Sequence, residues 1–513
     1  MKVVTAAIMQ EIDRRAIEEF GLPGEILMNS AGRFVADYIE SNYKDVTVNI
    51  VCGTGNNGGD GFTAAYYLAN HKRRVRVILC GSMERVSPVS RIFMNLCIKA
   101  GLSIESADST QQAEEIIFEN GIIIDSVFGT GFRGTPEGIH RIMIEKINRS
   151  NLEVVSVDIP SGMQSDGEIT SQCIVKASCT VTIGLPKISL VTYPGKHYCG
   201  ELAVADIGFP SSLTGSSDLT VELADRNWMI NRKPVDYKFD LHKGERGHTL
   251  LIGGFPGMEG ALLLAASALF RTGAGLATAA TAPESRRIIA GRIRELMTTA
   301  IPEEDTAGHT ADLIMNSRFD SLLIGPGMGR TPYSSTVFSS AVSAAAQKGL
   351  KRVLIDGDGL YHLAEYLKHQ SLPRGPVYCI TPHFMEASRL TGKSVAELKR
   401  DRLRSCMELA LNTSCITVLK GPATIVSDGT RSFINTTGNS LMATAGSGDV
   451  LSGIITSLMN SNSDVLEAAV SGVFIHGLCA DICLHNLKKN SITAGDLITL
   501  IDNASAQLTL QKD

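Results

Sequence analysis

Residues 442 to 453 read MATAGSGDVLSG, a loop of small residues running into an apolar-patterned helix. The amides of Gly446 to Gly448 can then gather at the helix N-terminus and hold an anion. Asp449 follows directly. Beside a bound phosphate, its carboxylate is suited to take the proton from a hydroxyl that attacks phosphorus, because phosphoryl transfer asks mainly for positioning and charge stabilisation. An isolated Gly-Asp pair is more often a plain helix cap. Here it has company in HKGERGH (242 to 248), GGFPGMEGA (253 to 261), GAGL (273 to 276), GPGMG (325 to 329), DGDGL (356 to 360), TPHFME (381 to 386), KGPAT (420 to 424) and HG (476 to 477). Taken singly most of these are ordinary loops, and His383 or His476 alone reads as a satisfied structural histidine.

The first half offers a different glycine cluster. GTGNNGGDG, Gly53 to Gly61, follows one apolar run and precedes a helical stretch, Phe62 to Asn70. Glycines at such a turn let backbone approach a ligand, and a helix N-terminus favours an anionic group such as a pyrophosphate. The spacing is not GxGxxG, and glycine-rich turns are often only turns. Asp125 in DSVFGTGFRG and Asp158 in VDIPSG both stand at ends of apolar runs, where open α/β sheets bind ligands. Asp60, Asp125 and Asp158 read blandly as caps or turn residues; three together point to a site.

The elements that position these residues follow from the apolar runs. VTVNIVC (46 to 52), VRVILCG (75 to 81), IIIDSVFG (122 to 129) and VVSVDIP (154 to 160) are continuous rather than alternating, as in strands buried on both faces of a parallel sheet. The first half reads as a doubly wound, Rossmann-like α/β domain. A polar stretch, SSLTGSSD (211 to 218), is followed by a second α/β series: HTLLIGG, SLLIGPGMG, RVLIDGDGL, VYCITPHF and CITVLKG. Two domains are expected, 1–216 and 222–513, as suits 513 residues.

Composition narrows the partners. With 48 basic against 53 acidic residues there is no broad positive field for nucleic acid or anionic lipid, so small-molecule substrates are expected. Eleven cysteines without a CxxC pair suggest neither a disulfide framework nor a zinc site, and a reducing cytoplasm fits. The run from Ala261 to Phe270 ends at Arg271, so neither a secretory signal nor a membrane span is expected.

GLPGEILMNSAG (21 to 32), GTGNNGGDG, DSVFGTGFRG, VDIPSG and YPGKHYCGELAVADIGFP (193 to 210) together resemble the NAD(P)H-hydrate epimerase family over the first 210 residues. The resemblance implies that Asn56, Asn57, Gly58, Gly59 and Asp60, with Gly129, Thr130, Gly131, Phe132, Arg133, Gly134 and Thr135, hold the hydrated dinucleotide. It also implies a potassium ion on Asn57, Asp125 and Ser161, and Asp158 facing the damaged ring as the catalytic group. Asn29-Ser30 departs from the family's Glu-Asn.

From about residue 222 onward the ordered motifs resemble the ribokinase-like fold and, within it, the ADP- or ATP-dependent NAD(P)H-hydrate dehydratases. That likeness implies Ala261, Gly327 and His383 against the substrate, Lys420, Gly421, Pro422, Ala423, Thr424 and Gly448 on the nucleotide, and Asp449 as catalytic base. ADP with magnesium is the expected co-substrate, ATP the alternative, and a homo-oligomer the expected assembly. Phe255 stands for a usual serine, DGDGL has glycines where alanines are common, and Met385 stands for the glycine of TPHxGE; a positive φ there would strain Met385. A ribokinase-like small-molecule kinase and a binding or scaffold protein are the other readings; HKGERG and KGPAT argue against the first, and Asn57, Asp125 and Asp158 together against the second.

Overall fold

The computed structural model describes residues 1–166, 171–232, 242–462 and 464–509. Internal contacts divide the chain into two compact units, Lys2–Val221 and Glu222 to the C-terminus, the latter with Met1. The first unit thus extends past residue 216: Leu219 is buried beside Val4, Met9 and Leu213, and the Val3 amide donates to the Val221 carbonyl at 2.9 Å.

Seven strands form the first sheet: β1 (Thr47–Cys52), β2 (Val75–Cys80), β3 (Ile104–Ala107), β4 (Gly121–Ser126), β5 (Glu153–Val157), β6 (Cys179–Ile183) and β7 (Glu201–Ala205). Their order is β3-β2-β1-β4-β5-β6-β7, and every pairing is parallel. This is the doubly wound arrangement, with its reversal of strand order between β1 and β4, where a crevice opens at the carboxyl ends. Buried runs on β1 and β4 pack against helices on both faces, which is why those segments are apolar throughout.

The second sheet has β8 (Val221–Ala224), β9 (His248–Ile252), β10 (Leu276–Thr281), β11 (Met297–Ala300), β12 (Ser321–Ile324), β13 (Arg352–Ile355), β14 (Val377–Ile380), β15 (Ile416–Leu419), β16 (Ile425–Ser427) and β17 (Ser432–Asn435). The order is β11-β10-β9-β12-β13-β14-β15-β16-β17-β8. It is parallel from β11 to β15 and turns antiparallel at β16 and β17. The close approach of the Ser447–Ser461 helix to the Glu259–Arg271 helix depends on Gly453, where a Cβ would lie 2.2 Å from the Ala265 carbonyl oxygen. One described helical segment, Val465–Asn486, is long and apolar enough to cross a bilayer, but 83 % of its apolar window is buried inside the protein. It is a core helix, longer than the 261 to 270 run.

Candidate active sites

In the first unit the glycine cluster is mostly helix. Only Gly53 to Gly55 form the turn after β1; the helix runs Asn56–Asn70, starting six residues earlier than the sequence suggests. The glycines inside it serve close packing. A Cβ on Gly58 would meet the Gly53 carbonyl oxygen at 1.9 Å, on Gly59 the Met28 sulfur at 2.4 Å, and on Gly61 the Cys52 sulfur at 2.8 Å. Glycine reads as loop because it disfavours helices in isolation, and here tertiary packing overrides that. The helix N-cap, Gly55, has no side-chain hydrogen bond, so first-turn amides remain for a ligand.

A cleft of about 710 Å³ opens beside that helix, lined among others by Asn56, Asn57, Asp60, Asp158 and Lys187. Gly129, Thr130, Gly131, Phe132 and Arg133 form another wall. Gly58, Gly59, Gly134 and Thr135, also expected against the dinucleotide, do not line it: the first two pack inward, and the last two are exposed beyond the wall. Arg133 folds back on its own loop, donating to the Thr130 and Phe132 carbonyls at 2.9 Å each.

Asp158 directly follows β5 with a left-handed φ of 69°. Its Oδ2 accepts from the Thr130 amide at 3.0 Å, and its Oδ1 accepts from Lys187 Nζ at 2.5 Å. Lys187 is fully buried and also donates to Thr182 Oγ1 and the Ile183 carbonyl. The pair is therefore a desolvated ion pair with its donors answered, the condition under which a buried charge is tolerated. Sequence reasoning missed Lys187; its one signal is a lone cation inside the apolar run IGLPKISLV. Asp60, by contrast, has its pKa pushed well up, first by burial and then by the charge of Asp158 and of Asp13.

Asp125, the next-to-last residue of β4, is buried, and burial raises its pKa despite the Ser161 and Ser156 bonds that lower it. It accepts from Ser161 Oγ at 2.6 Å, the Ser161 amide at 2.9 Å and Ser156 Oγ at 2.8 Å. Both side-chain amide atoms of Asn57 are buried without a hydrogen-bond partner. A Cβ on Gly129 would lie 3.1 Å from Asp158 Oδ2 and 3.3 Å from the Asn57 side chain, so these groups are neighbours. An unanswered amide oxygen, a buried carboxylate and a hydroxyl make an oxygen-rich set that suits a hard cation.

In the second unit, the Ser447–Ser461 helix has Gly446 as N-cap at φ 83° and no side-chain cap bond. Asp449 is thus the third helical residue, not the cap; the Ser447 amide turns back to the Thr444 carbonyl at 3.4 Å, and the Gly448 and Asp449 amides remain for an anion. Burial, then the nearby charge of Asp356, pushes the Asp449 carboxyl up to about 7, against the pull of Lys420. Lys420 follows β15 and donates from Nζ to Asp356 Oδ1 at 3.0 Å; a Cβ on Gly448 would stand 3.3 Å from that nitrogen. Burial works against the Lys420 ammonium, but Asp356, Glu386 and Asp449 around it raise its pKa.

Asp356 is the residue that the sequence quoted in DGDGL without giving it a role. Nearly buried at the end of β13, it also accepts from Thr381 Oγ1 at 2.5 Å and Ser452 Oγ at 3.0 Å. It ties β13, β14, β15 and the Ser447–Ser461 helix together beneath the turn at Gly446. His383 caps the helix Phe384–Thr391, its Nδ1 accepting from the Met385 and Glu386 amides at 3.1 and 3.3 Å. That fixes the ring proton on Nε2, 3.4 Å from Glu386 Oε1. Met385 lies in the first turn of this helix and is absent from the positive-φ residues, so the expected strain does not arise.

Gly327, at φ 58°, presses on Ala261: a Cβ there would be 3.1 Å from the Ala261 Cβ. Gly421 and Thr424 close a tight turn through the Thr424 hydroxyl at 2.9 Å, and Arg402 holds it by donating to the Pro422 and Ala423 carbonyls. The HKGERG loop lies against GAGL, since a Cβ on Gly275 would meet the Lys243 carbonyl oxygen at 1.8 Å.

These two arrangements match known families. Residues 249–503 fit the NAD(P)H-hydrate dehydratase model, and residues 24–189 fit the YjeF-related protein N-terminus. A bifunctional NAD(P)H-hydrate repair enzyme of Moorella thermoacetica is 35% identical over 98% of this chain and 96% of its own. The chain belongs to the bifunctional NAD(P)H-hydrate repair enzyme family. A Thermofilum pendens member is likewise 35% identical over 98% of this chain and 96% of its own. For the second unit, the solved ADP/ATP-dependent NAD(P)H-hydrate dehydratase of Bacillus subtilis, co-crystallised with ATP and Mg²⁺, superposes with a TM-score of 0.50 at 25% identity, covering 56% of this chain and 99% of that one. The ribokinase-like expectation holds for the second unit. Within the bifunctional repair family, this chain is an isomerase joined to a lyase.

Proposed function

We propose that the first unit interconverts the two epimers of hydrated NADH and NADPH around Asp158, and that the second dehydrates one epimer with Asp449 as base. The observation that carries the second role is Asp449 poised near neutral pH beside an uncapped helix N-terminus and Lys420. A general base works best when its pKa lies near the operating pH.

The dehydration then balances as follows. Asp449 accepts the proton of the ring hydroxyl while that oxygen attacks the terminal phosphorus of ADP, and AMP leaves. The first-turn amides and Lys420 meet the charge on the transferred phosphoryl group. Hydroxide is a poor leaving group and phosphate a good one, so the ester loses phosphate and a ring proton, restoring the reduced nicotinamide. ADP is the proposed co-substrate ahead of ATP. Magnesium would come with the nucleotide, as the Bacillus subtilis relative was co-crystallised with ATP and Mg²⁺.

In the first unit Asp158 stands at the damaged ring, aimed by Lys187 and the Thr130 amide. Asn57, Asp125 and Ser161 would hold a potassium ion, the reading that the unanswered Asn57 amide supports; bound, it would supply a fixed positive charge beside the cleft.

Recovery of reduced-nicotinamide absorbance tests the whole reading when the protein meets hydrated NADH with ADP or ATP. Recovery with either nucleotide, faster with ADP, is expected. Nucleotide consumption without recovered absorbance would make the protein a kinase. Residues 1–216 and 222–513 are the proposed functional domains; a first fragment extended to Val221 keeps Leu219 in its core and should epimerise alone.

A further inference from the structure

The strand order divides the carboxyl edge of the parallel part of the second sheet, β11 to β15. Asp356, His383 and Lys420 follow β13, β14 and β15. On the other side, the loops after β9, β10, β11 and β12 enclose a second cleft of about 810 Å³, within the roughly 300–1,000 Å³ usual for small-molecule sites. Phe255 follows β9, Glu284 β10, Glu303 and Glu304 β11, and Tyr333 β12, all in its wall.

The wall of this cleft borders residues of the dehydratase site. Met258 lines it and also touches Gly327, whose added Cβ would meet the Met258 carbonyl oxygen at 2.4 Å. Gly329 lines it too and donates its amide to Asp358 Oδ2 at 2.9 Å, and Asp358 is one of the carboxylates that raise Asp449. A hydrated dinucleotide carries its reacting ring at one end and adenosine at the other. With the ring hydroxyl at Asp449 and the co-substrate over Lys420 on the β15 side, the adenosine end has the β12 side left to it.

Resting on the dehydratase reading above, we infer that this cleft holds the adenosine half of the hydrated dinucleotide and selects hydrated NADH over hydrated NADPH. Phe255 and Tyr333 set their rings 5.0 Å apart in its wall, and the Tyr333 hydroxyl is fixed on the Ile301 carbonyl at 2.7 Å. They give a purine a rigid aromatic contact. Among the described residues the lining contains three carboxylates, Glu284, Glu303 and Glu304, and no Lys, Arg or His. A ribose 2′-hydroxyl can donate to a carboxylate. A 2′-phosphate meets a net like charge among these side chains, which discriminates by repulsion. Arg330, next to Gly329 in the chain, is already engaged by Asp358 at 3.0 Å and lies over the Tyr361 ring.

The test compares kcat/KM for hydrated NADH and hydrated NADPH, each as the accepted epimer with saturating ADP, in the full chain and in Glu303→Lys/Glu304→Lys. Both glutamates are exposed, so the variant should fold. Wild type should favour hydrated NADH by roughly tenfold or more, and the variant should shrink or reverse that ratio by gaining on hydrated NADPH alone. An unchanged ratio in an active variant overturns the inference. A second arm needs no turnover: calorimetric titration of ADP-ribose and of its 2′-phosphate, with the nucleotide site filled by α,β-methylene ADP. ADP-ribose should bind wild type, weaken tenfold or more in Tyr333→Ala, and exceed its 2′-phosphate in affinity. Equal binding of the two probes, or binding untouched by both variants, refutes the cleft assignment. Selective probe binding without any dehydration would instead count against the dehydratase reading alone.

Discussion

The two sites spend their lysines differently. Lys187 is buried and locked on Asp158, with every donor directed to a protein oxygen. Lys420 stays partly open at 20 % exposure and is shared by Asp356, Glu386 and Asp449. A site that exchanges two epimers needs a fixed carboxylate. One that receives a nucleotide polyphosphate needs a cation with capacity to spare and a base able to change its protonation. The first arrangement is therefore closed, and the second is held in tension by three carboxylates around one lysine.

Asp449→Asn tests that tension most severely. Dehydration should fall by roughly 10²–10⁴-fold, the usual cost of losing a general base, while epimerisation in the same chain is unchanged. Progress curves on the accepted epimer with ADP measure the first, and equilibration of a purified epimer the second. Turnover near that of the unmodified protein would break the contrast between the sites. Wild-type dehydration should also rise through an apparent pKa of about 7 as Asp449 ionises, and lose that limb on substitution.

Asp158→Asn carries the next largest effect. Hydration creates a new stereocentre, and a site aligned for in-line attack accepts one epimer. Given both epimers and excess ADP, this variant should show a fast phase for the accepted epimer, then a slow phase limited by spontaneous interconversion. The unmodified protein should finish in the fast phase. An unaltered single phase would remove Asp158 from epimerisation.

The same contrast has a thermodynamic side. The Asp449 carboxyl is raised from 3.8 to about 7, so the folded state holds its proton more tightly than the unfolded state. Both are protonated below pH 3.8, and the shift costs nothing there. Above pH 7 both are ionised, and the folded state bears the full cost, about 1–4 kcal/mol after allowing for solvent screening. Asp449→Asn should therefore stabilise the second unit at pH 8, and less so at pH 5. Urea unfolding without nucleotide at the two pH values measures this; equal stabilisation at both would mean that the carboxyl is not raised.

Much of this was legible in the sequence because it rests on strand ends. Continuous apolar runs marked β1, β2, β4 and β5, and polar residues at their carboxyl ends marked Asp125 and Asp158. The MATAGSGD segment placed the start of the Ser447–Ser461 helix, because a glycine-capped helix start has a local signature. What stayed hidden depends on partners far along the chain. Lys187 means nothing until β6 brings it to Asp158 across 29 residues, and Asp356 becomes central only when Thr381, Lys420 and Ser452 converge on it. Asn57 could be placed in a motif, but its buried, unanswered amide is a property of packing. The helix beginning at Asn56 was hidden for the same reason, since glycine propensity points one way and the space available points the other.

The smallest effects separate glycines that the fold needs from one that it lacks. Gly58→Ala places a methyl 1.9 Å from the Gly53 carbonyl oxygen, backbone that cannot give way without moving the turn after β1. It should cost the first unit at least about 1–3 kcal/mol, as overpacking does, with a matching loss of epimerisation. Met385 is the reverse case. A glycine usual at its position suggests strain, yet Met385 is helical, 62 % exposed, and donates its amide to His383. Met385→Gly should therefore relieve nothing. It should destabilise the second unit by no more than about 1 kcal/mol, the propensity difference of an exposed helical site, and leave KM for the hydrated dinucleotide within twofold. A Tm that rises on this substitution, or a KM that falls severalfold, would show that Met385 does strain the His383 turn, and that the second site carries backbone tension as well as charge.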